Sequence, residues 1–378
     1  MFNKQDITRN QFMLTGSLAI KGYDWWWHSF TAKNEKTGEE KSFFIEFFVC
    51  NPALRKNKPI LGQLTKNKIK NKRPSYLMVK AGCWGNDHCQ LHKFFGINKV
   101  YIHDKAPYFI AAGNCFASDI RLKGSVCVTE SESKNHPEYM CDFGTMEWDL
   151  KLDKKIAFNV GYGANDFFRA IKAFEMYWHA EGMKTLYSGT VTYNGEKYIV
   201  TPETSYGYAD KNWGRDFTSP WIWLSSCSLK SSLTGKKLNN SVFDIGGGRP
   251  KVYCVPLDKK LLGAFMYEGK EYEYNFSKPW TMPKTIFYTK ETSDKMIWHI
   301  RLENFNSVMI TDIHCKKSDM LLINYEAPDG SKKHNRLWNG GNGEGRIRLY
   351  KKVCGKLKMI DDIRAYNVGC EYGVYDKI

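Results

Sequence analysis

The sequence predicts an all-β, mainly antiparallel protein made of two similar β-rich halves joined by a short helix. Three observations carry this. Short apolar runs separated by turn signals recur along the 378 residues. Aromatic residues reach 15%, with 12 Trp, 22 Tyr and 22 Phe, types that favour strands and line apolar pockets. An aromatic strand–turn–strand block also occurs twice.

The strand-like runs include Ser42 to Val49, Tyr76 to Val79, Val126 to Thr129, Lys197 to Val200, Trp221 to Ser225, Lys251 to Val255 and Met296 to Leu302. Between them stand Thr37-Gly38, Asn194-Gly195, Glu268-Gly269 and Asp329-Gly330, residues that accept the positive φ of tight hairpin turns. Many short strands punctuated this way imply a sandwich or barrel. The repeated block reads Trp25-Trp26-Trp27 and Trp221-Ile222-Trp223. Trp26 and Trp223 each stand eleven residues before a Thr-Gly turn and a second strand. One helix is expected in mid-chain, capped by Asn165 or Asp166 and running through Phe167, Phe168, Ile171 and Phe174. The expected domains are residues 1–177 and 178–378.

Hydrophobic residues at 42% and charged residues at 25% support a folded core and exclude a disordered chain. The net charge of +16 is mostly lysine. Eight Lys/Arg and no acid lie between Arg55 and Arg73, read as a solvated loop, with peripheral contact to an anionic membrane as the functional alternative. Nucleic acid is not an expected partner. The start is not an apolar signal segment and no window reaches the apolar length of a membrane span, so a cytoplasmic location is expected. The eleven cysteines then read as reduced thiols.

Several chemistries find no support. Cys83, His88, Cys89 and His92 match no zinc template, and no metal is expected. Gly161-Tyr162-Gly163, Gly246-Gly247-Gly248 and Gly340-Gly341-Asn342-Gly343 complete no phosphate-binding fingerprint and read as tight turns or close backbone approaches. The informative stretch is Ser205 to Phe217. There Asp210, Lys211, Asn212, Arg215 and Asp216 interleave with Trp213 and Phe217, just before Trp221 and Trp223. Aromatic residues of this kind need burial, so their polar neighbours must be satisfied by one another or by a ligand.

This segment, Tyr208-Ala209-Asp210-Lys211-Asn212-Trp213-Gly214 followed by Trp221-Ile222-Trp223, resembles the Tyr-Ser-Glu-Lys-Asn-Trp-Gly segment and Trp-Phe-Trp strand of tocopherol cyclases. Asp24-Trp25-Trp26-Trp27-His28, Trp178-His179-Ala180-Glu181-Gly182, Asp329-Gly330 and Trp338-Asn339-Gly340-Gly341 follow the same family's order. The resemblance extends to carotenoid hydratases and AttH-like proteins. It implies two lipocalin-like β-barrel or half-barrel domains around an apolar ligand. It also implies a cofactor-independent reaction in which an acid protonates an alkene of a prenylated or polyene substrate and a ring closes on the cation. Asp210 is then the expected acid, with Glu46, Glu181 and Asp244 behind it. Lys211 and Asn212 complete the catalytic group. Trp25, Trp27, His28, His179, Trp213, Arg215, Trp221 and Trp223 are the expected ligand contacts. Asp210 replaces the family's Glu, Trp26 its Tyr, His28 its Lys, Thr218 its Pro, and Arg215-Asp216 its Gly-Gly, differences that point to a different substrate. A non-catalytic carrier of a lipid or pigment would need the same aromatic lining without the acid.

Overall fold

The computed structural model describes residues 2, 4–158, 171, 173–252, 255–276, 278 and 284–374, without the side chains of 332–335. Nearly all of it is antiparallel sheet, forming a closed barrel and a half-barrel of lipocalin-like type. Among the described residues the α-helices are four short pieces, Lys4–Arg9, Ser17–Ile20, Thr65–Ile69 and Glu130–Asn135. The mid-chain helix lies outside the described residues except for Ile171 and Phe174; Phe174 bridges Val252.

The first compact unit comprises residues 1–159, 175–217 and 324–335. Its twelve strands are β1 (Tyr23–Asn34), β2 (Glu40–Cys50), β3 (Tyr76–Cys83), β4 (Cys89–Phe95), β5 (Val100–His103), β6 (Phe109–Ala112), β7 (Cys115–Ser118), β8 (Arg121–Val128), β9 (Gly144–Phe158), β10 (Met176–Tyr193), β11 (Glu196–Val200) and β12 (Gly207–Gly214). They follow the order β4-β3-β2-β1-β11-β10-β9-β8-β7-β6-β5, with β12 set between β1 and β10. The β10–β11 hairpin closes at Asn194-Gly195, both at positive φ, as the Asn-Gly signal requires. Phe43, Ile45, Phe47, Val49, Leu77 and Val79 bury one face of β2 and β3 in a core shared with Trp26, Trp148 and Tyr187. The domain boundary expected after residue 177 falls inside β10, and residues 178–217 belong to this first unit.

The second unit comprises residues 160–174, 218–323 and 336–378. Its sheet contains β13 (Trp221–Ser226), β14 (Ser228–Ser231) and β15 (Val242–Gly248), with longer strands at Lys295–Glu303, Lys332–Val353 and Lys356–Gly373. Ile222, Leu224, Phe243, Ile245 and Trp298 lie in its core. The run Lys251 to Val255 is not one strand: Lys251–Val252 pairs antiparallel with Val255–Pro256.

The lysine-rich stretch is largely exposed around the helix Thr65–Ile69, although Asn67 is buried and donates to the Leu61 carbonyl at 2.8 Å. Gly246-Gly247-Gly248 lies within a strand rather than a turn. A Cβ at Gly248 would stand 1.7 Å from the Pro220 carbonyl oxygen, so this glycine allows a close backbone approach. Gly161-Tyr162-Gly163 lies outside the described residues. No helix of the described residues is long and apolar enough to cross a membrane.

Candidate functional site

Every residue of β12 is buried, although the strand reads Gly-Tyr-Ala-Asp-Lys-Asn-Trp-Gly. It is held on both edges. Trp25, Trp26 and Trp27 of β1 stand opposite Asn212, Lys211 and Asp210, and Trp178 and His179 of β10 stand opposite Asn212 and Lys211. Side chains alternate along a strand, so Asp210 and Asn212 point to one face and Lys211 and Trp213 to the other.

The Asp210 face carries a polar row set among aromatic rings. Asp210 stands opposite Trp27, Trp27 opposite Glu46, Glu46 opposite Lys80, and Lys80 opposite His92, across β12, β1, β2, β3 and β4. Asp210 Oδ2 accepts hydrogen bonds from Trp178 Nε1 at 2.8 Å and the Tyr208 hydroxyl at 3.3 Å. The Trp27 ring lies 5.1 Å from Phe44 in a nearly parallel stack. Glu46 Oε2 lies 2.9 Å from Lys80 Nζ and accepts the Tyr325 hydroxyl at 3.1 Å. Lys80 Nζ sits 3.7 Å above the Tyr325 ring, a desolvated cation–π contact. Burial pushes the Glu46 carboxyl upward against the opposing pull of Lys80. His92 Nδ1 donates to the Tyr139 carbonyl at 2.7 Å, and burial, aided by Lys80, holds its pKa down at about 3.

The neighbouring row on the same face is aromatic. Trp25 stands between Asn212 and Phe48 and stacks with Tyr325 at 5.4 Å and Phe217 at 6.1 Å. Asn212 Oδ1 accepts the Tyr23 hydroxyl at 2.8 Å. Buried polar atoms on this face without a hydrogen-bond partner among the described residues include Trp27 Nε1, Glu46 Oε1, His92 Nε2 and Asn212 Nδ2.

The opposite face is a separate ionic interior. Lys211 pairs with Asp24 and lies 3.9 Å over the Trp26 ring. Lys154 reaches Asp119 at 2.9 Å and Glu181 at 3.0 Å. Burial lifts Asp24 to about 6 and Glu181 to about 7, with Lys211 and Lys154 opposing. His28 Nδ1 lies 2.9 Å from the Tyr187 hydroxyl, which donates to the Tyr208 carbonyl at 3.0 Å, so the imidazole is the donor of that pair. Burial pushes His28 and His179 well below the ordinary histidine value.

The expected trio Asp210, Lys211 and Asn212 therefore does not converge. Asp210 and Asn212 share a face with Trp25 and Trp27, whereas Lys211, His28, His179 and Glu181 are turned to the other side. Trp213 also lies there, stacked on Tyr177 at 5.6 Å. Arg215 stands beyond β12, half-buried, with its backbone N–H on the Glu175 carbonyl at 2.9 Å. Trp221 and Trp223 belong to the second unit. Trp221 Nε1 donates to Glu371 Oε2 at 2.7 Å and Trp223 Nε1 to Asp244 Oδ1 at 3.0 Å. Both point away from the side of β13 that carries Ile222 and Leu224, as Trp25 and Trp27 point away from the side that carries Trp26. Cys83 and Cys89 lie in the first unit's core while His92 faces the other way, and His88 is exposed. The four cannot share a metal, and no group of three potential metal ligands occurs among the described residues.

The sequence profile described as tocopherol cyclase-like matches residues 132–374. The chain belongs to the tocopherol cyclase-like family. No curated protein matches it significantly. Solved structures of similar fold include a protein of Nitrosomonas europaea described as AttH, at 12% identity and TM-score 0.48, covering 94% of this chain and 93% of that one. CghA with Sch210972 gives 9% identity and TM-score 0.49, covering 95% and 90%. Kievitone hydratase of Nectria haematococca gives 12% identity and TM-score 0.47, covering 95% and 90%.

Within this tocopherol cyclase-like chain the reading of the sequence missed Lys80, His92 and Tyr325 as members of the Asp210 face. One signal was available for Lys80: a lysine in the apolar run Leu77-Met78-Val79-Lys80-Ala81, where strand burial obliges it to find a partner.

Proposed function

We propose that this member of the family is a cofactor-independent enzyme that protonates an alkene of a prenylated or polyene small molecule, with Asp210 as the acid. The observation that carries the reading is the setting of Asp210, a buried carboxyl anchored through Oδ2 by Trp178 and Tyr208 on a face shared with Trp25 and Trp27. In this reading Asp210 supplies the acid proton. Its transfer to an alkene carbon leaves a tertiary cation and an Asp210 carboxylate. The two donors stabilise the charge that forms on the carboxylate. The faces of Trp25 and Trp27 border the cation, each contact worth on the order of 1–2 kcal/mol when desolvated. An oxygen of the same molecule closes a ring on the cation, or water adds, or a neighbouring carbon loses its proton. In each case one proton returns to Asp210.

The test joins two measurements. Mass spectrometry of an organic extract of freshly purified protein, against an unrelated control, identifies a retained prenylated or polyene compound. The Asp210→Asn variant is then expected to bind that compound within about 3-fold of the parent and to lose turnover by about 10²- to 10⁴-fold. A parent protein that retains the compound and never transforms it is instead a lipocalin-like carrier, and the enzyme reading fails. The exposed lysines between Arg55 and Arg73 would bring such an enzyme to an anionic membrane surface. Co-sedimentation with phosphatidylserine vesicles at low salt, absent with neutral vesicles, is the expected sign.

A further inference from the structure

The polar row does not end at the acid. Its far end, at β2, β3 and β4, contains two acceptor atoms that nothing among the described residues satisfies, Glu46 Oε1 and His92 Nε2. Both residues are fully or almost fully buried, at 0% and 2% exposure. The tautomer of His92 follows from geometry. Its Nδ1 faces the Tyr139 carbonyl, which can only accept, so Nδ1 carries the hydrogen and Nε2 presents a lone pair. The low pKa of His92 keeps the ring neutral and this assignment intact. Glu46 is fixed in the same way: Lys80 and the Tyr325 hydroxyl occupy Oε2, leaving Oε1 as an acceptor. Two buried acceptors beside an aromatic wall call for a donor.

We infer that the segment Glu46–Lys80–His92 is an anchoring subsite for a hydroxyl group of the substrate, remote from the alkene that Asp210 protonates. The register sets the ruler. Glu46 lies two strands from Asp210 and His92 four, and adjacent strands are about 4.8 Å apart, so the hydroxyl lies roughly 10–19 Å from the reacting end. That separation is too long for this hydroxyl to be the oxygen that closes a small ring on the cation. It positions the substrate. The ligand class is a linear polyene or prenylated molecule with an apolar reacting end and a hydroxyl at the other.

The inference rests on the alkene-protonation reading for the position of the reacting end, and the test separates the two. Farnesol and farnesyl methyl ether share one hydrocarbon chain and differ in the donor hydrogen. Titration of the intact protein, followed by quenching of tryptophan fluorescence, is expected to show farnesol binding about ten- to a hundred-fold more tightly, since the ether has no hydrogen to donate to a buried acceptor. His92→Phe should bring the ratio to within about 3-fold, His92→Gln, which restores an acceptor, should recover part of it, and Asp210→Asn should leave it unchanged. Equal affinity of the two probes for the parent protein overturns the hydroxyl subsite and leaves the role of Asp210 standing. A ratio that survives His92→Phe also overturns it. Failure of the parent to bind either probe also overturns the hydroxyl subsite, while the role of Asp210 is decided by the turnover of Asp210→Asn. The comparison on the parent protein holds even if a variant does not fold.

Discussion

Asp210 and Lys211 are neighbours in sequence whose side chains leave β12 on opposite faces. The strand alternation that separates them makes different predictions for each. Asp210 accepts from Trp178 and Tyr208, and Trp178→Phe removes the shorter of these bonds, at 2.8 Å. Turnover should fall about 10-fold or more while the sheet is preserved, because an indole–carboxylate hydrogen bond that strengthens as charge forms contributes about 1.5–3 kcal/mol; steady-state kinetics beside circular dichroism will show it. His92 gives a pH prediction. Its folded pKa of about 3 lies below the unfolded value of 6.5, so its contribution to stability is complete above pH 6.5 and is lost as pH falls toward 3, because the unfolded chain takes up the proton first. Glu181 and Glu326, both lifted to about 7 by burial, act in the opposite sense. Comparing parent with variant isolates the histidine: between pH 7 and pH 5, His92→Gln should lose less stability than the parent, by up to about 1.4 kcal/mol for each pH unit below 6.5. Urea unfolding at the two pH values measures this, and equal losses would contradict it.

At the scale of the element, β12 is a polar strand buried between β1 and β10. Backbone pairing on both edges and side-chain pairing on both faces make this tenable. Its ends are glycines for steric reasons. A Cβ at Gly207 would lie 2.2 Å from the Tyr187 ring, and one at Gly214 would lie 2.1 Å from the Glu175 carbonyl oxygen. The Asp24–Lys211 pair ties β12 to β1 with both side chains fully buried. Lys211→Met leaves Asp24 buried without its cation and should cost about 3–5 kcal/mol. Adding Asp24→Asn should restore much of that loss, a non-additivity that a double-mutant cycle by chemical denaturation reports. Similar losses from two independent residues would show that the pair does not hold the strands together. The turn residues of this element class were legible in the sequence: Asn194-Gly195 and Glu268-Gly269 both close two-residue hairpins at positive φ. The burial of β12 followed from its aromatic residues, but the split of Asp210 from Lys211 followed only once it was a strand and not a loop.

For the whole molecule, the first unit is not continuous in the chain. Asn324–Asn335 belongs to it, and this segment supplies Tyr325, which touches Trp25, Phe48, Phe217, Lys80 and Glu46. A fragment of residues 1–217 should therefore fold less stably than the same unit in the full chain and expose the aromatic face, measured as a lower melting temperature and increased binding of a hydrophobic dye. A fragment as stable as the full chain's first transition would refute that dependence. The sequence by itself determined the β class, the turns, the duplicated Trp-x-Trp strand and the family, because these depend on local periodicity, backbone preference and short contiguous motifs. It also identified Asp210, Asn212, Trp25 and Trp27 as candidates. Only the tertiary structure decided which of them share a face, that Lys211, His28 and His179 serve an ionic interior, and that Lys80, His92 and Tyr325 extend the Asp210 row. Those are matters of register and of contacts between residues far apart in the chain, 279 positions for Glu46 and Tyr325, and a chain shows such neighbours only after its strands have paired.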